Sequence, residues 1–119
     1  MKKISAGLLF CAWVNVYAYH NPSEVLKQIH QNKAVGKGVY DTFCGVCHEP
    51  DPQIQVGAPR RGIKSDWYER TRHQSLNTIL KNVDEGINNM PARGGCFECT
   101  DEDLLAATRY LMGVCSHKT

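Results

Sequence analysis

The sequence of 119 residues lacks a dominant charge: 14 Lys+Arg face 12 Asp+Glu, a net of +2. No basic run exceeds the pairs Lys2-Lys3 and Arg60-Arg61, which excludes a strongly cationic nucleic-acid binder. Long hydrophobic runs are missing too. The stretch Ile4 to Val14 is mostly apolar but only eleven residues long, against about 20 for a membrane span. Alternating apolar and polar strand patterns, internal repeats and low-complexity tracts are all absent. With 42% apolar and 22% charged residues, the composition is that of one folded domain and excludes disorder. What the chain does have is six cysteines.

The N-terminus reads as a secretory signal. Lys2-Lys3 provide the positive start, Ile4 to Val14 the apolar segment, and Val16-Tyr17-Ala18 the cleavage site. Acylation of Cys11 as a lipoprotein is disfavoured by the bulky Phe10 before it. Cleavage after Ala18 leaves residues 19–119, with 12 Lys+Arg level with 12 Asp+Glu, and exports the chain to the oxidising periplasm. Five cysteines remain: Cys44, Cys47, Cys96, Cys99 and Cys115. An odd number leaves one without an intrachain disulfide partner or gives it another use.

The rest of the pattern predicts helices and loops. Asn21-Pro22-Ser23-Glu24 reads as a capped helix start, with Val25, Leu26 and Ile29 on one face. A second helix is expected from about Lys33 to Phe43, with Gly36, Val39, Tyr40 and Phe43 at three-and-four spacing. Ser65-Asp66 can cap a short helix through Arg70, and Ser75 another that stops at Gly86. Thr100 with Asp101, Glu102 and Asp103 opens a last helix through about Val114. Residues 49–64 and 87–98 hold the prolines and glycines of loops.

Cys44-Gly45-Val46-Cys47-His48 is the strongest motif. Cys-x-x-Cys-His is the signature of covalent haem attachment. Two thiols one helical turn apart can add across the two vinyl groups on one haem edge, and the adjacent imidazole then reaches the iron. A dithiol redox pair would need a βαβ context. A zinc ribbon would pair Cys44/Cys47 with Cys96/Cys99, which lie too far apart in sequence for that motif. Haem c is therefore the expected cofactor, with His48 as its first axial ligand.

The second ligand decides between two functions. Met90, before Pro91 in a glycine-rich loop, is free of helical constraint and is the expected ligand; Met112 in the last helix reads as core. His73 is its rival among the histidines and reads as a surface residue. His/Met ligation raises the reduction potential and closes the iron, which suits a single-electron carrier rather than an enzyme. The alternative is a haem enzyme or gas-binding protein with an open sixth position, such as a peroxidase-like module. The polar neighbours of Met90, Asn88 and Asn89, cannot shuttle a proton as histidine would.

Taken together, Cys-x-x-Cys-His, Gly57-Ala58-Pro59 and Met90-Pro91-Ala92-Arg93-Gly94-Gly95-Cys96-x-x-Cys99 followed by Thr100-Asp101-Glu102 resemble the cytochrome c5 group of class I c-type cytochromes. Gly36 and Tyr40 before the haem motif match that group's first core helix, and Tyr110 its aromatic on the last. The resemblance covers roughly residues 35–114. It implies an all-α shell of helices wrapped around one covalently attached haem, with residues 19–34 as an N-terminal extension and 35–119 as the cytochrome c domain. It further implies a Pro59 carbonyl that accepts the second ring N–H of His48, and an exposed haem edge for partners such as a reductase complex or a terminal oxidase. Trp67 takes the place of a tryptophan that reaches a haem propionate in relatives; packing in the core is the competing reading.

Cys96 and Cys99 are expected to form a disulfide, both as an adjacent pair in an exported chain and by the same resemblance. So small a loop gains only about 2 kcal/mol on the loop-entropy model. A second haem is excluded because Thr100, not histidine, follows Cys99. Cys115 has no place in the family pattern. The last helix separates it from Cys96 and Cys99 by about 20 Å, too far for a disulfide. Cys115 is therefore either a free or buried thiol or a bridge between two molecules, and a homodimer linked through it is the sharper hypothesis. The near-neutral mature chain predicts weak partner docking with only moderate salt dependence.

Overall fold

The computed structural model describes residues 21–114; the expected signal segment and Cys115 lie outside the described residues. Among the described residues, six α-helices make up the fold. α1 (Pro22–His30) starts where the Asn21 side chain accepts from the Ser23 backbone N–H. α2 (Val35–Val39) runs into a single π turn, Tyr40–Cys44, and straight on into α3 (Gly45–His48). The helix expected to stop near Phe43 therefore continues to His48. The extra residue in the wide turn moves the exposed and buried faces round by about 100°. Tyr40, the first residue of the turn, is wholly buried, and His48 is buried after it.

α4 (Lys64–His73) differs from the expected short helix at both ends. It starts behind Ile63 with no side-chain cap, because the Asp66 carboxylate is taken by Arg60. α5 (Leu76–Glu85) starts at Ser75, whose Oγ accepts from the Thr78 N–H, and stops at Gly86 with φ 80°. α6 (Asp101–Met112) opens on a reciprocal capping box between Thr100 and Asp103 and stops at Gly113 in the left-handed region. Between α5 and α6 the chain makes a tight turn, Ile87 pairing with Met90, and then a 3₁₀ turn over Ala92–Gly95.

α2 packs most extensively on α6. Gly36 makes that crossing possible, since a β-carbon there would stand 2.5 Å from the Ala106 carbonyl oxygen. One turn on, the rings of Tyr40 and Tyr110 meet with centroids 5.1 Å apart at 59°. Around this crossing lie Leu26, Val39, Trp67, Leu104, Ala107 and Leu111 as one buried cluster, with Met112 packed against it. α1 contributes Leu26, and its Ile29 sits over Gly38, where a β-carbon would come within 2.8 Å. Its His30 ring lies 2.8 Å from the buried Asp103 carboxylate on α6.

Candidate haem-attachment site

The π turn and α3 carry the three residues of the motif. Cys44 and Cys47 are half-buried and joined to nothing, while Cys96 and Cys99 are joined to each other. That disulfide removes both distal thiols from any zinc ribbon. Among the described residues, no three His, Cys, Asp or Glu side chains gather as a metal-holding cluster. Burial, then the neighbouring Cys47, pushes the Cys44 thiol up to about 11. A redox dithiol needs the opposite shift.

The His48 ring is held from one side. Its Nδ1 lies 2.7 Å from the Pro59 carbonyl oxygen, so Nδ1–H donates and Nε2 keeps its lone pair. Burial lowers the imidazole's pKa, the Pro59 contact opposes this, and the Arg70 charge adds to the lowering. The ring is thereby kept neutral, the form that ligates a metal.

The loop bearing Pro59 is locked in place by residues the sequence reading did not assign. The Arg61 N–H donates to the His48 carbonyl at 2.7 Å, and its guanidinium grips Glu49 through two bonds of 3.3 and 3.1 Å. The same guanidinium lies 5.7 Å from the centroids of both Tyr40 and Tyr110. Arg60 in turn closes on Asp66 at 2.8 and 3.1 Å. Both arginines of the basic pair are thus committed within the chain. Their only sequence signal was their position just after Pro59.

Trp67 is buried, and its indole N–H donates to the Arg60 carbonyl at 2.9 Å. The ring is thus packed against the core with its nitrogen bonded to the Pro59 loop. His73 is exposed at the end of α4.

Met90 is brought to the motif from the far side of the chain. A β-carbon on Gly94 would stand 4.0 Å from Met90 Cε and 4.0 Å from Cys44 Sγ. The thioether and the first motif thiol therefore flank one point, although 46 positions separate them in sequence. Two unpaired thiols and a neutral imidazole that offers Nε2 are the groups a covalently attached haem requires, and a methionine stands nearby. The residues present fit the group.

Residues 31–111 match the family model described as cytochrome c oxidase, cbb3-type, subunit III. The chain is 38% identical to cytochrome c5 of Ectopseudomonas mendocina over 72 residues, 60% of this chain and 79% of that protein. It is 34% identical to cytochrome c-555 of Chlorobaculum tepidum over 84 residues, 67% of this chain and 74% of the relative. Against cytochrome c6 of Pyropia tenera the identity is 30% over 77 residues, covering 65% and 86%. The motif, the all-helical shell and these likenesses agree: the chain belongs to the class I c-type cytochromes, with haem c as its covalently bound cofactor.

Proposed function

We propose that the protein is a soluble, exported monohaem electron carrier whose iron is held by His48 and Met90. Cys44 and Cys47 hold the haem by thioether bonds, and when bound the haem supplies a one-electron ferric/ferrous couple. His48 offers Nε2, and the bond from its Nδ1–H to Pro59 fixes the ring plane and raises its basicity. Met90 offers a neutral sulfur, which favours the reduced state and fills the last position. An iron held by both residues would offer no open position to oxygen or peroxide.

The observation that carries this reading is the approach of Met90 to Cys44 around Gly94. The environment supports transfer rather than catalysis. Exposed Val46, Ile54 and Val56 lie beside the motif, with the Ile54 N–H bonded to the Val46 carbonyl at 3.0 Å. Such a face suits brief apolar docking to a reductase complex or terminal oxidase, with moderate salt dependence.

Optical spectra of the oxidised and reduced protein test the ligand set. The wild type is expected to show low-spin haem in both states and no shift with dilute cyanide. Met90→Ala is expected to bind cyanide in the ferric state and to have a markedly lower potential. If Met112→Ala behaved this way and Met90→Ala did not, the assignment would fail.

A further inference from the structure

Arg93 lies three residues after Met90, with its backbone at φ 57° and ψ 20°. Gly94 and Gly95 follow, also at positive φ. This left-handed conformation is natural for glycine and strains any residue with a β-carbon. The backbone alone would favour glycine at position 93 as well, so the reason for an arginine must lie in its side chain.

The Arg93 side chain is only 20% exposed, and its guanidinium meets three acceptors. It donates to the Asp84 carboxylate on α5, to the Cys99 carbonyl at 2.7 Å, and to Asp101 at the start of α6 at 3.2 Å. A planar fork of five N–H donors can span partners so arranged, which a lysine ammonium matches only in part. The two helices it joins are those between which the Met90 loop is slung. The near side of that loop is closed by the Ile87–Met90 pairing and by Gly86, where a β-carbon would stand 2.7 Å from the Met90 carbonyl oxygen. Arg93 closes the far side.

We propose that Arg93 is the positioning residue for the sixth ligand, a clamp that holds the Met90 loop shut over the haem. The inference rests on Met90 being that ligand. An external ligand reaches the ferric iron only while the loop is open, so its apparent affinity scales with the open fraction. Removing the fork releases the far side of the loop and raises that fraction.

Imidazole titration of the ferric holoprotein reads it directly. Arg93→Gln and Arg93→Gly should each bind imidazole about tenfold more tightly than the wild type. Both should also show a weakened red absorption from sulfur–iron ligation and a lower reduction potential. Arg93→Gly relieves the backbone strain and Arg93→Gln keeps it, so a looser thioether in both assigns the effect to the lost guanidinium. Arg93→Lys should recover part of the wild-type behaviour. Asp84→Asn with Asp101→Asn removes two exposed partners while leaving Arg93 in place, and should move affinity the same way by less.

Met90→Ala sets the ceiling. If it binds imidazole tightly while the Arg93 variants and the aspartate pair stay within about twofold of wild type, the clamp is overturned and the ligand assignment stands. If Met90→Ala itself leaves the affinity unchanged, both fall together.

Discussion

Gly36 and Ala106 bring α2 and α6 into backbone contact: a β-carbon on Gly36 would lie 2.5 Å from the Ala106 carbonyl oxygen and 2.8 Å from its carbon. That closeness lets Tyr40 and Tyr110 meet one turn further on, and it sets the start of the helix that carries the haem motif. Gly36→Ala is expected to destabilise by about 1–3 kcal/mol through forced separation of the helices. For a domain of this size each kcal/mol lowers the thermal midpoint by about 4–8 °C. Ala106→Gly should not rescue it, because the clash is with main chain. A calorimetric scan of the three variants checks both statements.

Covalent attachment at Cys44 and Cys47 has a mass signature. Under denaturing and reducing conditions the intact protein should exceed the residue 19–119 polypeptide by one haem. The same spectrum reports the cleavage expected after Ala18. Extraction of haem into acidified organic solvent would overturn the attachment.

Acid sensitivity should centre on Asp66. The Arg60 side chain, then the Arg60 backbone N–H, hold this carboxyl at about 2, below its ordinary 3.8. A depressed folded-state value stabilises fully above the unfolded value, and that stability is lost as pH falls from about 4 towards 2. Asp66→Asn should flatten this part of the profile. Urea midpoints measured from pH 5 to about 2 for both proteins make the comparison.

The N-terminal helix should come away from the rest when His30 is removed. The Asp103 carboxylate is buried, which alone would raise its pKa. The Thr100 N–H and the His30 ring outweigh that and leave it lowered. His30→Ala removes the tether to α1 but keeps the capping box, so global stability should shift by less than about 1 kcal/mol. Asp103→Ala loses both and should cost about 1–2 kcal/mol. Hydrogen exchange of the α1 amides separates the two: protection should fall in both variants, with the global midpoint moving further in the second.

Cys115 lies beyond the described residues, and the expectation of a homodimer through it is tested on gels. Freshly purified protein should show a dimer band that disappears with reductant and in Cys115→Ser. A band that survives the substitution would place the contact elsewhere.

Local chemistry explains what could be read from the sequence. Two thiols and an imidazole within five residues carry their cofactor chemistry with them, wherever the segment folds. The caps at Asn21, Ser75 and Thr100 are local too, each side chain reaching a backbone N–H two or three residues on, and those helices start as expected. Gly86 ends its helix as expected, whereas α6 stops at Gly113, short of the expected Val114.

The helix expected to stop near Phe43 shows where such reading fails. The π turn has no mark in hydrophobic spacing, because it arises from burying Tyr40 against α6 while the motif faces elsewhere. Asp66 looked like a cap, yet Arg60 reached it first from the preceding loop.

The sequence by itself determined the cofactor, the helical class and the capped helix starts at Asn21, Ser75 and Thr100, since each depends on residues within a turn or two of one another. Only the tertiary structure decided that Met90 comes to Cys44, that Arg93 joins α5 to α6, and that His30 meets Asp103 across 73 positions. Those partners are chosen by which helices pack together, and packing is a property of the closed chain rather than of any segment.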